Sequence, residues 1–510
     1  MTELQNLGDL LDGRADPATT AVIDLANPAD PRSWSHGEID ALGRAVARGL
    51  LSRGHRRGDR VAILAANSTE YLAVYLGVMR AGLVAVPVNF KLPRDSVHYI
   101  VRDAEASLIF ADAERRHACP ADLPVIELGS DGRDGLDGFV DPGPFETARP
   151  SPVEIAMILY TSGSTGRPKG VLLSHAGQLW AIRQRIDTTP ELERHRFMVA
   201  APFYHMNALC TAKLVLAAHA SMVLLPQFRA PAFIDAIARY RATWLSGVPT
   251  MLALLARETD LLARSDLTSV ERVAVGSAPL AQALIDTVKE IFPGALVSNG
   301  YGTTETGPVA FGAEHPAGVA RPDIALGYPI AQIKLRLVKD GQREADEGEL
   351  ELWTPALMRG YHHLPEKTAA VMTEDGYYRT GDVMRRDEHG FYYFVGRADD
   401  MFVCGGENIY PGEVERMLER HPDIQQAVVV PVPDLVRGQK PVAFVVPAAG
   451  SPITERAVRD WALAHGPAYA HPRHVLIATE LPLAGTGKVD RRALIERATA
   501  LAGDEGARPR

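Results

Sequence analysis

The sequence predicts an α/β protein in two unequal parts. A large N-terminal domain of doubly wound sheets with a β-rich subdomain is followed by a small α+β C-terminal domain. Three observations predict this. Apolar runs of strand length alternate with helically spaced stretches across residues 61–111 and again across 197–298, the pattern of helices laid on a parallel sheet. Residues 333–395 are instead dense in β signals, with Gly341 and Gly348 at turns. The chain of 510 residues exceeds what one hydrophobic core organises.

Taken in order, residues 1–53 read as mixed loop and helix, with helical spacing over 41–51. Strands are expected at 61–64, 84–88 and 107–111, and helices over 70–82 and 94–103. Residues 131–152 are rich in Gly, Asp and Pro and read as an exposed connection. Apolar runs at 155–159 and 171–173 read as strands, and Ser174 is a natural helix N-cap. The second series places strands at 197–200, 221–225, 243–246, 272–275 and 295–298. Helices fit between them at 208–218, 231–240, 250–258 and 280–291. Beyond 396, strands are expected at 401–404, 427–430, 442–446 and 475–478. One helix starts at Pro411, a residue suited to the first helical position, another covers 455–463, and a last one closes the chain.

Composition bounds the function. Apolar residues make up 46% and charged residues 23%, ordinary for a globular protein. A net charge of −9 argues against a nucleic-acid surface. The three cysteines, Cys119, Cys210 and Cys404, have no metal-ligand spacing and suit a reducing cytoplasm. No run approaches the ~18 apolar residues of a membrane span, and the N-terminus lacks signal-peptide character. A homodimer is the default expectation for such an enzyme-sized chain.

The stretch Tyr160-Thr161-Ser162-Gly163-Ser164-Thr165-Gly166-Arg167-Pro168-Lys169-Gly170 joins two expected strands. Glycines let backbone N–H groups face an anion, hydroxyls add donors, and Lys169 adds a point charge. The loop is suited to a polyphosphate. It is not a Walker A loop, because Gly163 plus five is Pro168 and Lys169 precedes Gly170. By composition alone, an ordinary surface loop is an equal reading.

The order of residues decides between them, for the stretch resembles the signature loop of the adenylate-forming superfamily. That group holds acyl-CoA synthetases, peptide-synthetase adenylation domains and firefly luciferase. Further stretches carry the resemblance along nearly the whole chain: Tyr301-Gly302-Thr303-Thr304-Glu305, Thr380-Gly381-Asp382, Gly396-Arg397 to Asp400, Gly405-Gly406-Glu407-Asn408, and Gly487-Lys488-Val489-Asp490. It implies an acyl-CoA synthetase-like fold. Residues 1–396 then form the nucleotide and acyl domain, 397–400 a hinge centred on Asp399, and 401–510 a mobile domain carrying a catalytic lysine.

The resemblance implies ATP contacts from Thr161, Ser162, Gly163, Ser164, Thr165, Gly166 and Lys169. It adds Ser277, Ala278, Asn299, Gly300, Tyr301, Gly302, Thr303 and Thr304. Asp382 would hold the ribose hydroxyls, and Arg397 the ribose or phosphates. Glu305 and Thr161 would stand by Mg²⁺, and Lys488 would bridge the acyl carboxylate and the α-phosphate. His205 falls where the family places an aromatic or His gate beside the acid. Gly405 and Gly406 would line the CoA tunnel. Without these motifs, a lone His, Lys or Glu at such positions is an ordinary structural or solvated residue.

The implied reaction is ATP-dependent formation of an acyl-adenylate, then transfer to CoA, giving an acyl-CoA, AMP and pyrophosphate. The expected acid pocket holds His205, Met206, Asn207, Trp244, Gly276, Ser277, Gly300, Gly302, Val309 and Ala310. No Arg or Lys stands among them, which disfavours a dicarboxylate and suits a medium-chain aliphatic or aromatic monocarboxylate. The alternatives are an adenylation enzyme loading a separate carrier protein, a luciferase-like oxygenase, and a nucleotide-binding module without chemistry. The last would lack Glu305 or Lys488, and both are present.

Overall fold

The computed structural model describes residues 5–11, 16–129, 135–161, 167–308, 310–404, 407–434, 437–467, 470–484 and 488–506. Two sheets form the N-terminal layers. The six-stranded sheet runs Val125–Leu128, Ala106–Asp112, Arg60–Leu64, Val84–Pro87, Ile155–Thr161, Lys169–Ser174. Its strands are parallel except the last pair, an antiparallel ladder that brings Thr161 opposite Lys169. The seven-stranded sheet runs Leu296–Gly300, Arg272–Gly276, Trp244–Gly247, Arg196–Val199, Ser221–Leu224, Thr20–Asp24, Arg32–Ser35. It is parallel up to its final antiparallel strand.

Sequence periodicity placed both series well and failed near the N-terminus. Residues 20–35, expected as loop and helix, form two strands. The first pairs with Ser221–Leu224, a partner two hundred residues away that local pattern does not reveal. Val125–Leu128 was likewise not anticipated. The region 131–152 is not wholly exposed: Leu136 and Phe139 are buried, and Phe139 meets Phe110 edge-on at 5.1 Å.

A five-stranded antiparallel sheet follows, in the order Gln342–Arg343, Lys334–Lys339, Glu347–Trp353, Tyr378–Arg386, Tyr392–Arg397. Its last two strands set Asp382 opposite Arg397. The C-terminal sheet comprises Glu407–Ile409, Phe402–Cys404, Gly438–Pro447 and Ile424–Asp434, with His474–Ile477 parallel to Gly438–Pro447. Helix Pro411–Leu418 begins with proline, as expected, and Ser174 caps helix His175–Thr188 by accepting from the Gly177 amide.

Two interiors result. The apolar clusters of the first part draw on residues 7–394 and those of the second on 402–498. Among the described residues no such cluster spans the connection at 397–401. Truncating a fully buried ring in either, such as Phe391 or Phe444, should cost about 3–5 kcal/mol. Among the described residues no helix is long and apolar enough to cross a membrane.

Candidate active site

In open parallel sheets, ligands bind beyond the carboxyl ends of the strands. Here those ends carry Gly247, Gly276 and Gly300. They open onto a cavity of ≈ 2080 Å³ enclosed by three parts of the chain. The ladder of the first sheet contributes Thr161 and Lys169. The β-rich sheet contributes Asp382, Arg397 and Asp399, and the C-terminal part contributes Lys488. His205, Met206, Asn207, Trp244, Gly276, Ser277 and Ala278 line it. So do Asn299, Gly300, Tyr301, Gly302, Thr303, Thr304 and Glu305. Ser162, Gly163, Ser164, Thr165, Gly166, Val309, Gly405 and Gly406 lie outside the described residues. Ala310 does not reach the cavity: it is 1% exposed, in the core below Tyr301.

At one end, polar groups satisfy each other. Asp382 accepts from the Tyr301 hydroxyl and, at 3.0 Å, from Arg397 Nη1. Arg397 also donates to the Thr380 carbonyl at 2.8 Å and holds Asp399 through Nε and Nη2 at 2.9 and 3.2 Å. Burial pushes the Asp382 carboxyl up, against the pull of Arg397. Gly381, at φ +70, is required here, since a Cβ would come within 2.8 Å of Arg397 Nη2. Asn299 spends one amide proton on the Ile324 carbonyl at 2.9 Å.

Beside this group, Glu305 is 9% exposed and accepts from the Tyr361 hydroxyl at 3.0 Å. Among the described residues its second oxygen accepts no hydrogen bond. The Lys169 ammonium lies 4.2 Å from the centre of the Tyr361 ring, within cation–π range. Burial lowers the Lys169 pKa, and Glu305 opposes the shift. Tyr361 arrives on residues 359–362, which hydrogen-bond along strand Lys169–Ser174 through Leu172 and Gly170. Sequence reading missed Tyr361, because its only cue is this long-range pairing.

Lys488 stands in the cleft, open to water yet walled by protein. Burial lowers its pKa, Asp382 raises it and Arg397 lowers it again. Its turn is closed by the Ala484 amide donating to the Lys488 carbonyl at 2.7 Å. Three residues on, Arg491 anchors the turn to helix Pro411–Leu418, donating to both Glu415 oxygens at 2.7 and 2.8 Å.

The other end of the cavity is less satisfied. His205 precedes helix Met206–Ala217, and its buried Nε2 has no partner among the described residues. Burial first, then Lys488 and Lys91, pushes its pKa down to about 4. The imidazole is therefore neutral at physiological pH. Asn207 donates to Ser277 Oγ at 3.3 Å and accepts from Ser246 at 3.2 Å. Ser277 sits at φ +67, in the left-handed region that costs a non-glycine residue some strain. Trp244 stacks on Phe197 at 4.8 Å, and both line the cavity.

One expectation fails here. A cationic side chain does line this end: Arg185, on helix His175–Thr188. It was missed because it lies twenty residues before His205. The available signal was its spacing of three, four and seven from Ile182, Ala181 and Gln178, which are buried.

Comparison with known proteins agrees with this architecture. The AMP-binding enzyme family model matches residues 12–362, and the AMP-binding enzyme C-terminal domain matches 413–488. The chain is 33% identical over 462 residues to a feruloyl-CoA synthase of Amycolatopsis, covering 89% of this chain and 92% of the relative. It is 30% identical over 502 residues to the fatty acid–[acyl-carrier-protein] ligase ScoC of Streptomyces coeruleorubidus, with 94% of each covered. Among solved structures it resembles the anthranilate CoA ligase AuaEII with anthranoyl-AMP (TM-score 0.87, 27% identity, 98% of each chain). It also resembles ATP-bound MatB from Rhodopseudomonas palustris (TM-score 0.88, 30% identity, 98% of this chain and 99% of that one).

The chain belongs to the AMP-binding enzyme family, the adenylate-forming superfamily expected from its motifs. It is an AMP-forming acid–CoA ligase with ATP and CoA as co-substrates.

Proposed function

We propose that this ligase activates an aromatic carboxylic acid, with the site residues in the roles their positions suggest. The observation that carries the aryl reading is the stacked Phe197–Trp244 pair on the cavity wall. Aromatic side chains at a pocket wall favour a ring over an alkyl chain through edge and offset contacts. Relatives named for feruloyl-CoA and anthranilate support the same class.

In this reading the acid carboxylate attacks the α-phosphorus of ATP, and the bond to pyrophosphate breaks. Two anions must approach, so positive charge set in advance is the main catalytic term. Lys488 supplies it at the meeting point, Lys169 attends the phosphates, and Asp382 accepts from the ribose hydroxyls. Neutral His205 adds no charge and fixes where the carboxylate lies. CoA sulfur then attacks the acyl carbon and AMP leaves. Arg397, gripping Asp382 and Asp399 together, ties the ribose site to the proposed hinge. The boundary at 397–400 is supported by the absence of a shared apolar cluster across it.

The described residues fit Mg²⁺ as the family uses it. Glu305 is a hard oxygen donor with one carboxylate oxygen uncommitted, and no cluster of three His, Cys, Asp or Glu side chains stands ready to cage a metal among the described residues. Such a site suits an ion held chiefly by substrate phosphates and water. Bound there, Mg²⁺ would neutralise phosphate charge. Three free cysteines agree with a reducing, cytoplasmic setting.

The test is chromatography of AMP and acyl thioester from purified protein, ATP, Mg²⁺ and CoA over matched aryl and alkyl acids. An aryl acid should exceed the best alkyl acid by about 10-fold or more in kcat/KM. Alkyl preference removes the aryl reading. Product only with a phosphopantetheinylated carrier protein would replace CoA with the acceptor suggested by ScoC.

A further inference from the structure

Two enclosed arginines behave differently. Arg80 is 1% exposed and saturated: it donates to the Gly8 and Asp40 carbonyls at 2.7 and 3.0 Å and to Asp40 Oδ1 at 2.5 Å. Arg185 has neither a hydrogen bond nor an ion pair among the described residues. It is half-buried, burial lowers its pKa, and no carboxylate stands among the groups that offset the shift. Its electrostatic neighbours are Cys210 and Arg272. The Cys210 thiol is itself pushed up by burial, so it is a neutral group and no counter-ion. A Cβ on Gly312 would lie 4.0 Å from Arg185 Nη1, and Gly312 also lines the cavity. The open face of the guanidinium is therefore the cavity.

Its depth follows from helix geometry. Met206, Asn207, Cys210, Thr211 and Leu214 all line the cavity, so it runs along one face of helix Met206–Ala217. Cys210 lies five residues beyond His205, about 7–8 Å at the rise of an α-helix. A substrate whose carboxylate lies at His205 and whose body follows this helix face therefore extends toward Cys210, an electrostatic neighbour of Arg185.

We infer that Arg185 selects the acid by binding an oxygen acceptor at its distal end, so that the substrate is an aryl acid with a far carboxylate or phenol oxygen. This rests on reading the cavity as the acid site. A ligand carboxylate would take two parallel N–H bonds from the fork, and a phenol oxygen one. An acid without that oxygen leaves the charge unpaired, which is the strong form of discrimination. Arg185 removes the ground on which a dicarboxylate was disfavoured, the lack of a cationic side chain in the pocket.

The experiment compares wild type, Arg185→Gln and Arg185→Lys. Acids are paired to differ only at the far end: terephthalate against benzoate, and 4-hydroxycinnamate against cinnamate. Pyrophosphate release gives kcat/KM, and calorimetry without ATP gives the dissociation constant. In wild type the oxygen-bearing member of at least one pair should win by about 100-fold in both measures. Arg185→Gln should shrink that preference to about 3-fold or less, chiefly through loss with the oxygen-bearing acid, and an unfolding midpoint matching wild type shows that the variant is folded. Arg185→Lys should restore part of it. The terephthalate pair responding assigns a second carboxylate, and the cinnamate pair a phenol. A preference that survives in Arg185→Gln, or none in wild type for either pair, overturns the inference. If no acid releases pyrophosphate, the reaction reading fails on its own, and calorimetry still decides the role of Arg185.

Discussion

The two ends of the cavity differ in how complete they are before any ligand arrives. At the nucleotide end, Tyr301, Asp382, Arg397 and Asp399 form one hydrogen-bonded chain, and Glu305 is steadied by Tyr361. At the acid end, His205 Nε2 has no partner among the described residues, and no carboxylate stands among the electrostatic neighbours of Arg185. A site for an invariant co-substrate is held rigid in advance. A site that must choose among acids leaves donors open, so that the right acid gains what a wrong one forfeits.

Breaking the nucleotide end should cost most. Asp382→Ala removes the proposed ribose acceptor and frees both Tyr301 and Arg397. The KM for ATP should rise about 100-fold with the acid KM little changed, since buried charge-assisted bonds are lost. Steady-state kinetics with each substrate varied separates the two. Tyr361→Phe removes the support behind Glu305 and a 3.4 Å contact with the Tyr378 hydroxyl, and supporting hydrogen bonds of this kind are worth about 10-fold. A magnesium titration of pyrophosphate release should show the loss as a higher Mg²⁺ requirement.

A smaller, differently shaped effect is expected at the acid end. His205→Leu should raise the acid KM by about 10-fold or less, without altering the pH profile between pH 6 and 8. With its pKa near 4, His205 does not titrate there. The alkaline limb should instead fall below pH 10.5, because burial lowers the Lys488 pKa from that value. A limb near pH 6.5 that vanishes in His205→Leu would give the imidazole a proton-transfer role.

The smallest effect lies outside the cavity chemistry. Burial pushes the Glu419 carboxyl up to about 8 from 4.5, although the Ala427 amide donates to it at 3.0 Å. Its folded pKa is raised, so its stabilising contribution is full below pH 4.5 and lost as pH rises through 8. Glu419→Gln should match wild type at acid pH and gain roughly 1–2 kcal/mol at pH 9. Calorimetric unfolding at the two pH values reads the difference.

The same contrast governs what the sequence disclosed. The end proposed for the nucleotide draws on short contiguous stretches, so Glu305, Asp382, Arg397 and Lys488 could each be expected from local sequence, and all four line the cavity. Helix starts at Pro411 and after Ser174 were legible because capping is local. The strand at 20–24 was not, since its partner is Ser221–Leu224. Arg185 and Tyr361 escaped for the same reason: one reaches the cavity and the other backs Glu305 by packing between distant segments, which no local pattern records.

The account turns on Lys488, brought to the cleft from the second domain and needed only while carboxylate and phosphate meet. The direct measurement separates the half-reactions in Lys488→Ala: pyrophosphate release from ATP and acid, and thioester formation from supplied acyl-adenylate and CoA. We expect the first to fall by about 100-fold or more and the second to stay near wild type. Equal loss of both, or retention of the first, would contradict the assignment.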